Sequence, residues 1–183
     1  AVWISNKIHP RDLIGHKKTF GHVLVVAGSQ GKAGAGILCA RAALSSGCGM
    51  VTVVMPKEAV SVLLLEQPEL MYMTHEELVH NNLSSFDAIA IGPGMGFEER
   101  AIDSLKYVLM HFKGPIVVDA DAITYLTDDA RLWAIWEKAP FPIHHLKPLP
   151  KPHKPPKLGG EIIPWKDHKK FLANGMVGIE SDM

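Results

Sequence analysis

The sequence has few cysteines, no excess of charge and no long apolar run, and each absence removes a class of function. Cys39 and Cys48 are the only cysteines in 183 residues. Their spacing matches neither a zinc motif nor CxxC, so they read as two buried thiols in a reducing compartment, with the cytoplasm as the expected location. Lys plus Arg and Asp plus Glu number 19 each, for a formal net charge of zero. A chain without basic excess gains little from counterion release, and no nucleic-acid partner is expected. The longest apolar runs, such as residues 59–65 interrupted by Ser61, fall far short of the about 20 residues needed to cross a bilayer. No basic-then-apolar signal segment opens the chain, so no membrane partner is expected either. His16, His22, His75, His80 and His111 are scattered. None pairs with another ligand-type residue in a metal array, so no metal ligand is assigned.

What is present is a globular composition, 47% hydrophobic, in a length suited to one domain with a proper core. Residues 23–27 (VLVVA), 50–55 (MVTVVM), 88–91 and 116–118 are short apolar runs rich in β-branched residues. They predict strands buried on both faces. Between them, residues 35–46 are rich in alanine and leucine, with Gly47 placed as a C-cap. Residues 98–112 set Ala101, Ile102, Leu105, Val108, Leu109 and Phe112 at helical spacing. Shorter helices are expected over 57–65 and 75–80. Strands alternating with helices predict βαβ units, and hence an α/β domain on a mainly parallel sheet. The pattern stops near residue 139. Pro140, Pro142, Pro148, Pro150, Pro152, Pro155 and Pro156 follow among lysines and histidines, and prolines at that density exclude helix and central strand. The expected organisation is a partial domain over 1–139, a Pro/Lys/His-rich strap or linker over 140–158, and a short divergent tail over 159–183 with one helix near 166–173.

Three loops follow strand ends, where open α/β sheets bind their ligands. The first, residues 28–36 (GSQGKAGAG), matches neither a P-loop nor GxGxxG: no Ser or Thr follows Lys32, and Cys39 stands where a third glycine belongs. It reads equally as an anion-binding turn at a helix start or as a tight turn with close helix packing. The second, with Gly92, Gly94 and Gly96 around Pro93 and Met95, predicts a side-chain-free floor for a flat ligand. The third holds Asp119 and Asp121, which suit turn or N-cap duty, hydrogen bonds to ligand hydroxyls, or support of a metal. Local sequence leaves these alternatives open.

Taken in order, residues 16–29 (HKKTFGHVLVVAGS), 31–35 (GKAGA) with 40–53 (ARAALSSGCGMVTV), 68–71 (PELM), 87–96 (DAIAIGPGMG) and 118–122 (VDADA) resemble the ADP/ATP-dependent NAD(P)H-hydrate dehydratase family. The resemblance covers about residues 16–126. It implies a truncated ribokinase-like three-layer fold, the N-terminal half only of a carbohydrate-kinase-like domain. It also implies dehydration of hydrated NADH or NADPH driven by ADP or ATP with Mg2+, a repair of the nicotinamide nucleotide. By the same resemblance Gly34, Ala35, Gly92, Gly94 and Gly96 line the hydrated-dinucleotide pocket and Asp119 and Asp121 border it. A bulky residue at position 94 is then expected to abolish binding and spare the fold.

The family's Thr-Pro-His segment and its later Gly-Gly-x-Gly-Asp motif, which supplies a phosphate nest and the catalytic aspartate, do not occur in this sequence. No catalytic residue is therefore assigned, and turnover by these residues alone is expected to be impaired. The alternatives are a non-catalytic dinucleotide-binding remnant and a related small-molecule kinase. An incomplete sheet leaves an open edge, so low stability or homo-oligomer formation is expected.

Overall fold

The computed structural model describes residues 14–138. The strap over 140–158, the tail over 159–183 with the helix expected near 166–173, and residues 1–13 lie outside the described residues. In chain order the regular elements are β1 (His22–Val26), α1 (Ala33–Ser45), β2 (Met50–Val54), α2 (Val60–Glu66), β3 (Met71–Met73), α3 (His75–Leu78), β4 (Ala88–Ile91), α4 (Glu99–His111), β5 (Ile116–Val118), α5 (Asp121–Asp128) and α6 (Ala130–Lys138).

The five strands form one sheet in the order β3-β2-β1-β4-β5, and every pairing is parallel. Val25 stands opposite Val53 on one side and Ala90 on the other. Alternate residues of the central strands feed two cores. Val25, Val53 and Met55 pack with Ile37 and Ala40 of α1 and Leu63 of α2. Leu24, Val26, Ile89 and Ile91 pack with Leu105 and Val108 of α4, Leu126 of α5 and Leu132 of α6. The result is three layers, helices on both faces of the sheet, as right-handed crossovers between parallel strands require. Each fully buried Leu or Ile in these cores is worth about 1.5–3 kcal/mol relative to exposure.

The expectation of strands buried on both faces fails at β5. Val117 is 61% exposed, because β5 is the edge strand and among the described residues no helix covers its outer face.

After β1 the chain builds outward through β2 and β3, then returns to place β4 on the other side of β1. Crossovers therefore diverge between β1 and β4. In doubly wound sheets the crevice between the C-terminal loops of two such strands is the position that takes ligands.

Candidate functional site

All three sequence-assigned loops meet at this crevice. The Gly28 amide of the β1 loop donates to the Pro93 carbonyl of the β4 loop at 2.9 Å. Asp121, at the start of α5, accepts from the Gly96 amide at 3.0 Å and from Lys32 Nζ at 3.5 Å. One carboxylate thus ties the loops after β1 and β4 to the turn after β5. The Lys32–Asp121 side chains are 51% and 20% exposed, so their ion pair contributes at most about 1 kcal/mol. Tyr125 lies one helical turn beyond Asp121, and its hydroxyl donates to the Gly96 carbonyl at 3.0 Å. Asp121 and Tyr125 therefore hold both polar groups of Gly96 from the same face of α5. Burial, then the Asp121 and Glu98 carboxylates, push the Tyr125 phenol up to about 12; it stays protonated and donates.

The glycines do different jobs. A Cβ on Gly92 would fall onto the Asp119 carbonyl oxygen, so this position holds the β4 and β5 loops in contact. Gly94 has φ +61°, and a Cβ there would stand 2.8 Å from Ala35 Cβ and 3.3 Å from Lys32 Cβ. Its missing side chain faces α1, not open space. The expectation that a bulky residue at 94 spares the fold is therefore corrected: it would force the β4 loop off α1. Gly36 is buried, with a Cβ meeting Ala27 O at 2.9 Å, and belongs to close helix packing. Gly34, two residues before it, is exposed and has nothing within 4 Å of a Cβ position. Close helix packing, one of the two readings of the first loop, thus holds at Gly36, while Gly34 takes no part in it. Ala35 fills the gap that Gly94 leaves.

Neither aspartate caps α5: the N-cap residue is Ala120, without a side-chain cap bond. Asp121 occupies the first helical turn, where a carboxylate complements the helix dipole, and Asp119 is exposed. Among the described residues no three His, Cys, Asp or Glu side chains gather as a cation site requires. With Asp121 already engaged by Lys32 and Gly96, the two carboxylates do not fit a resident metal.

Ser29, Lys32, Phe97 and Tyr125 were not assigned from sequence. Phe97 is 60% exposed; its ring lies 5.2 Å from that of Tyr125 and 5.9 Å below Lys32 Nζ. The signal for Tyr125 was its i, i+4 spacing from Asp121. Phe97 follows the glycine loop directly, but nothing in its neighbours marks it.

Other polar features are structural. Burial and the Asp119 carboxylate push the Cys39 thiol up, and Cys48 Sγ contacts the Met50 and Gly21 carbonyls. Both cysteines are free thiols. A separate groove of about 600 Å³ opens at the β3 edge, lined by Tyr72, Met73, Glu76, Glu77, His80 and Asn81. Its two glutamates make it a poor seat for a phosphorylated ligand. No described helix is long and apolar enough to cross a membrane.

The sequence model of one protein family, described as NAD(P)H-hydrate dehydratase, matches residues 23–139, and so spans β1 through α6 with every loop of the crevice. The bifunctional NAD(P)H-hydrate repair enzyme Nnr of Moorella thermoacetica is 35% identical over 144 residues, 72% of this chain and 27% of that protein. The ADP-dependent (S)-NAD(P)H-hydrate dehydratase of Lactiplantibacillus plantarum is 34% identical over 132 residues, 70% of this chain and 48% of that protein. The chain thus spans about a quarter to a half of the length of these relatives. Among solved structures, a ribokinase-like superfamily protein of Enterococcus faecalis superposes with a TM-score of 0.61 at 33% identity, over 66% of this chain and 44% of that one. The ADP/ATP-dependent NAD(P)H-hydrate dehydratase of Bacillus subtilis, co-crystallised with ATP/Mg2+, gives 0.56 at 30% identity, over 63% and 42%. The open parallel sheet is ribokinase-like, and by the match over residues 23–139 the chain belongs to the NAD(P)H-hydrate dehydratase family.

Proposed function

We propose that this chain acts in the repair of hydrated NADH or NADPH, and that the crevice between β1 and β4 receives the hydrated dinucleotide. The observation that carries the reading is the family match over residues 23–139, which takes in Gly34, Ala35, Gly92, Gly94, Gly96, Asp119 and Asp121 together. In the reaction, ATP or ADP transfers its terminal phosphoryl group to the hydroxyl of the hydrated nicotinamide ring. Phosphate then leaves as a proton is lost from the neighbouring carbon, and the ring double bond re-forms. The chain's own residues position the substrate: Gly92, Gly94 and Gly96 let the loops after β1, β4 and β5 pack closely, Asp121 keeps those loops together, and Tyr125 stiffens them. The described carboxylates do not build a metal site, so Mg2+ enters this proposal as the counter-ion of the nucleotide, a substrate component. No described residue is assigned to holding that nucleotide.

The test is a calorimetric titration of the 183-residue chain with hydrated NADH, set against NADH and against simple sugar alcohols. Saturable binding of the hydrate, tighter than either control, is expected. Preference for a sugar alcohol would favour the small-molecule kinase reading and sink this one.

A further inference from the structure

We propose that Phe97 is a stacking platform for an adenine ring, standing where the loops after β1, β4 and β5 meet. That this adenine belongs to the hydrated dinucleotide rests on the function proposed above; the platform itself does not.

Single exposed apolar side chains are ordinary on a protein surface, so the 60% exposure of Phe97 decides nothing alone. What sets this ring apart is how it is held. Met95, two residues earlier, is 1% exposed and packs into the core with Leu105 and Leu126. Met95 therefore anchors the loop after β4, and anchoring does not call for a second large apolar side chain. Phe97 follows Gly96, whose amide is fixed by Asp121 and whose carbonyl is fixed by Tyr125. Its ring rests against the Tyr125 ring at 5.2 Å between centroids and 52° between planes, and Tyr125 is itself buried at 8% exposure. Lys32 Nζ, from the loop after β1, lies 5.9 Å from the Phe97 centroid, within the range of a cation–π contact. The ring is thus in water and yet braced from two other loops. An aromatic side chain fixed before binding loses little rotamer freedom when a ligand covers it.

A braced, exposed ring beyond the strand ends suits a flat partner, because rings gain most from offset stacking on one another. The hydrated dinucleotide offers two rings. Hydration saturates part of the nicotinamide ring, which then loses its planarity, whereas adenine stays flat and aromatic. Adenine is therefore the better partner for Phe97. The surrounding charge admits the phosphates that come with it. Glu98, next in sequence, is paired with Arg100 at 2.7 Å, and Asp121 is engaged by Lys32 and Gly96.

The full chain and its Phe97→Ala, Phe97→Leu and Phe97→Tyr variants are titrated with hydrated NADH, with the hydrated nicotinamide mononucleotide, which lacks adenine, and with ADP. Phe97→Ala and Phe97→Leu should each weaken hydrated NADH on the order of tenfold, the effect of one lost base–aromatic stack. Phe97→Tyr should bind as the parent does, and the mononucleotide should bind all four proteins alike. Circular dichroism and urea midpoints check that each variant is folded. Leucine keeps the apolar bulk beside Tyr125 without a flat face, so parent-like binding of hydrated NADH and ADP by Phe97→Leu overturns the platform. Unaltered affinity of Phe97→Ala for both adenine compounds overturns it too, as does equal weakening of hydrated NADH and the mononucleotide. Weakening of ADP alone keeps the platform and removes the dinucleotide as its occupant. If the parent chain binds no hydrated NADH, the function proposed above falls, and the ADP titrations decide the platform by themselves: loss of affinity in Phe97→Ala and Phe97→Leu with retention in Phe97→Tyr upholds it, and any other pattern, including no binding of ADP, overturns it.

Discussion

Between the two aspartates of the crevice, Ala120 has φ 49° and ψ −122°, and the Ala122 amide closes on the Asp119 carbonyl at 3.2 Å. These are the dihedrals of the first central position of a type II′ turn, a place that glycine fills without strain. Alanine there costs on the order of 1–2 kcal/mol. Ala120 is also the one described non-glycine residue with positive φ, and it sits where Asp121 must be aimed. Replacing Ala120 with glycine should raise the unfolding free energy by roughly 1 kcal/mol, read as a higher urea midpoint at constant slope. A lower midpoint would show that the turn relaxes and stores no strain. The residues of the site were legible in sequence only in part. Glycines announce close approach, and Gly92 makes it; whether the freed space faces ligand or protein depends on packing, which is why Gly94 and Gly36 turn out to face α1 and β1. Tyr125 was hidden for another reason: a phenol gains its meaning from the backbone group opposite, and that group, the Gly96 carbonyl, lies in a different loop.

At the scale of elements, α3 and α4 are joined through a buried polar contact. His75 Nδ1 lies 2.7 Å from Ser104 Oγ, and that hydroxyl donates to the Arg100 carbonyl at 2.9 Å. The serine proton is thus committed, so it accepts from a neutral His75 that carries its proton on Nδ1. Burial first, then the Arg100 charge, hold the His75 imidazole below the ordinary value of 6.5; burial also lowers His22 against the pull of Asp87. The unfolded chain takes up these protons near pH 6.5 and the folded chain does not. Stability is therefore full above about pH 6.5 and declines as pH falls from there through the folded-state values. Urea midpoints at about pH 7.5 and about pH 5.5 should show this decline, and a His75→Gln variant should show a shallower one. An equally steep decline in the variant would remove His75 as a cause. The elements themselves were mostly legible. Ala88–Ile91 and Ile116–Val118 have the expected bounds, and β1 and β2 end one residue early, because β-branched runs between turn residues have few alternatives as strands. β3 was not expected: Met71, Tyr72 and Met73 are too few and too little β-branched, and their strand exists by pairing with Thr52, Val53 and Val54. α3 is shorter than the expected 75–80, with its start fixed by the Thr74–Glu77 capping box.

For the whole molecule, binding and turnover separate. Phosphoryl transfer needs donors around the transferred group and a positioned charge or base near the attacking hydroxyl. The crevice brings three loops together, yet the 183 residues contain no Gly-Gly-x-Gly-Asp run, the element that the family resemblance assigns to the nucleotide phosphates and the catalytic aspartate. Asp119 and Asp121 are poor replacements: Asp121 is committed to Gly96 and Lys32, and both stand where the dinucleotide, not the nucleotide, is proposed to bind. Losing a base or an oxyanion-type donor each costs on the order of a hundred- to ten-thousand-fold in rate. The expected outcome is therefore binding without repair. Purified chain mixed with hydrated NADH, ADP or ATP and Mg2+ should show no recovery of reduced-nicotinamide absorbance at a rate near that of the Lactiplantibacillus plantarum relative, of which it spans 48%. The same sample should still bind the hydrate in a titration, which distinguishes a missing phosphoryl site from a collapsed fold. Recovery at the relative's rate would mean that these residues build a phosphate site from another sequence, and that the crevice at β1 and β4 is only half of what they do.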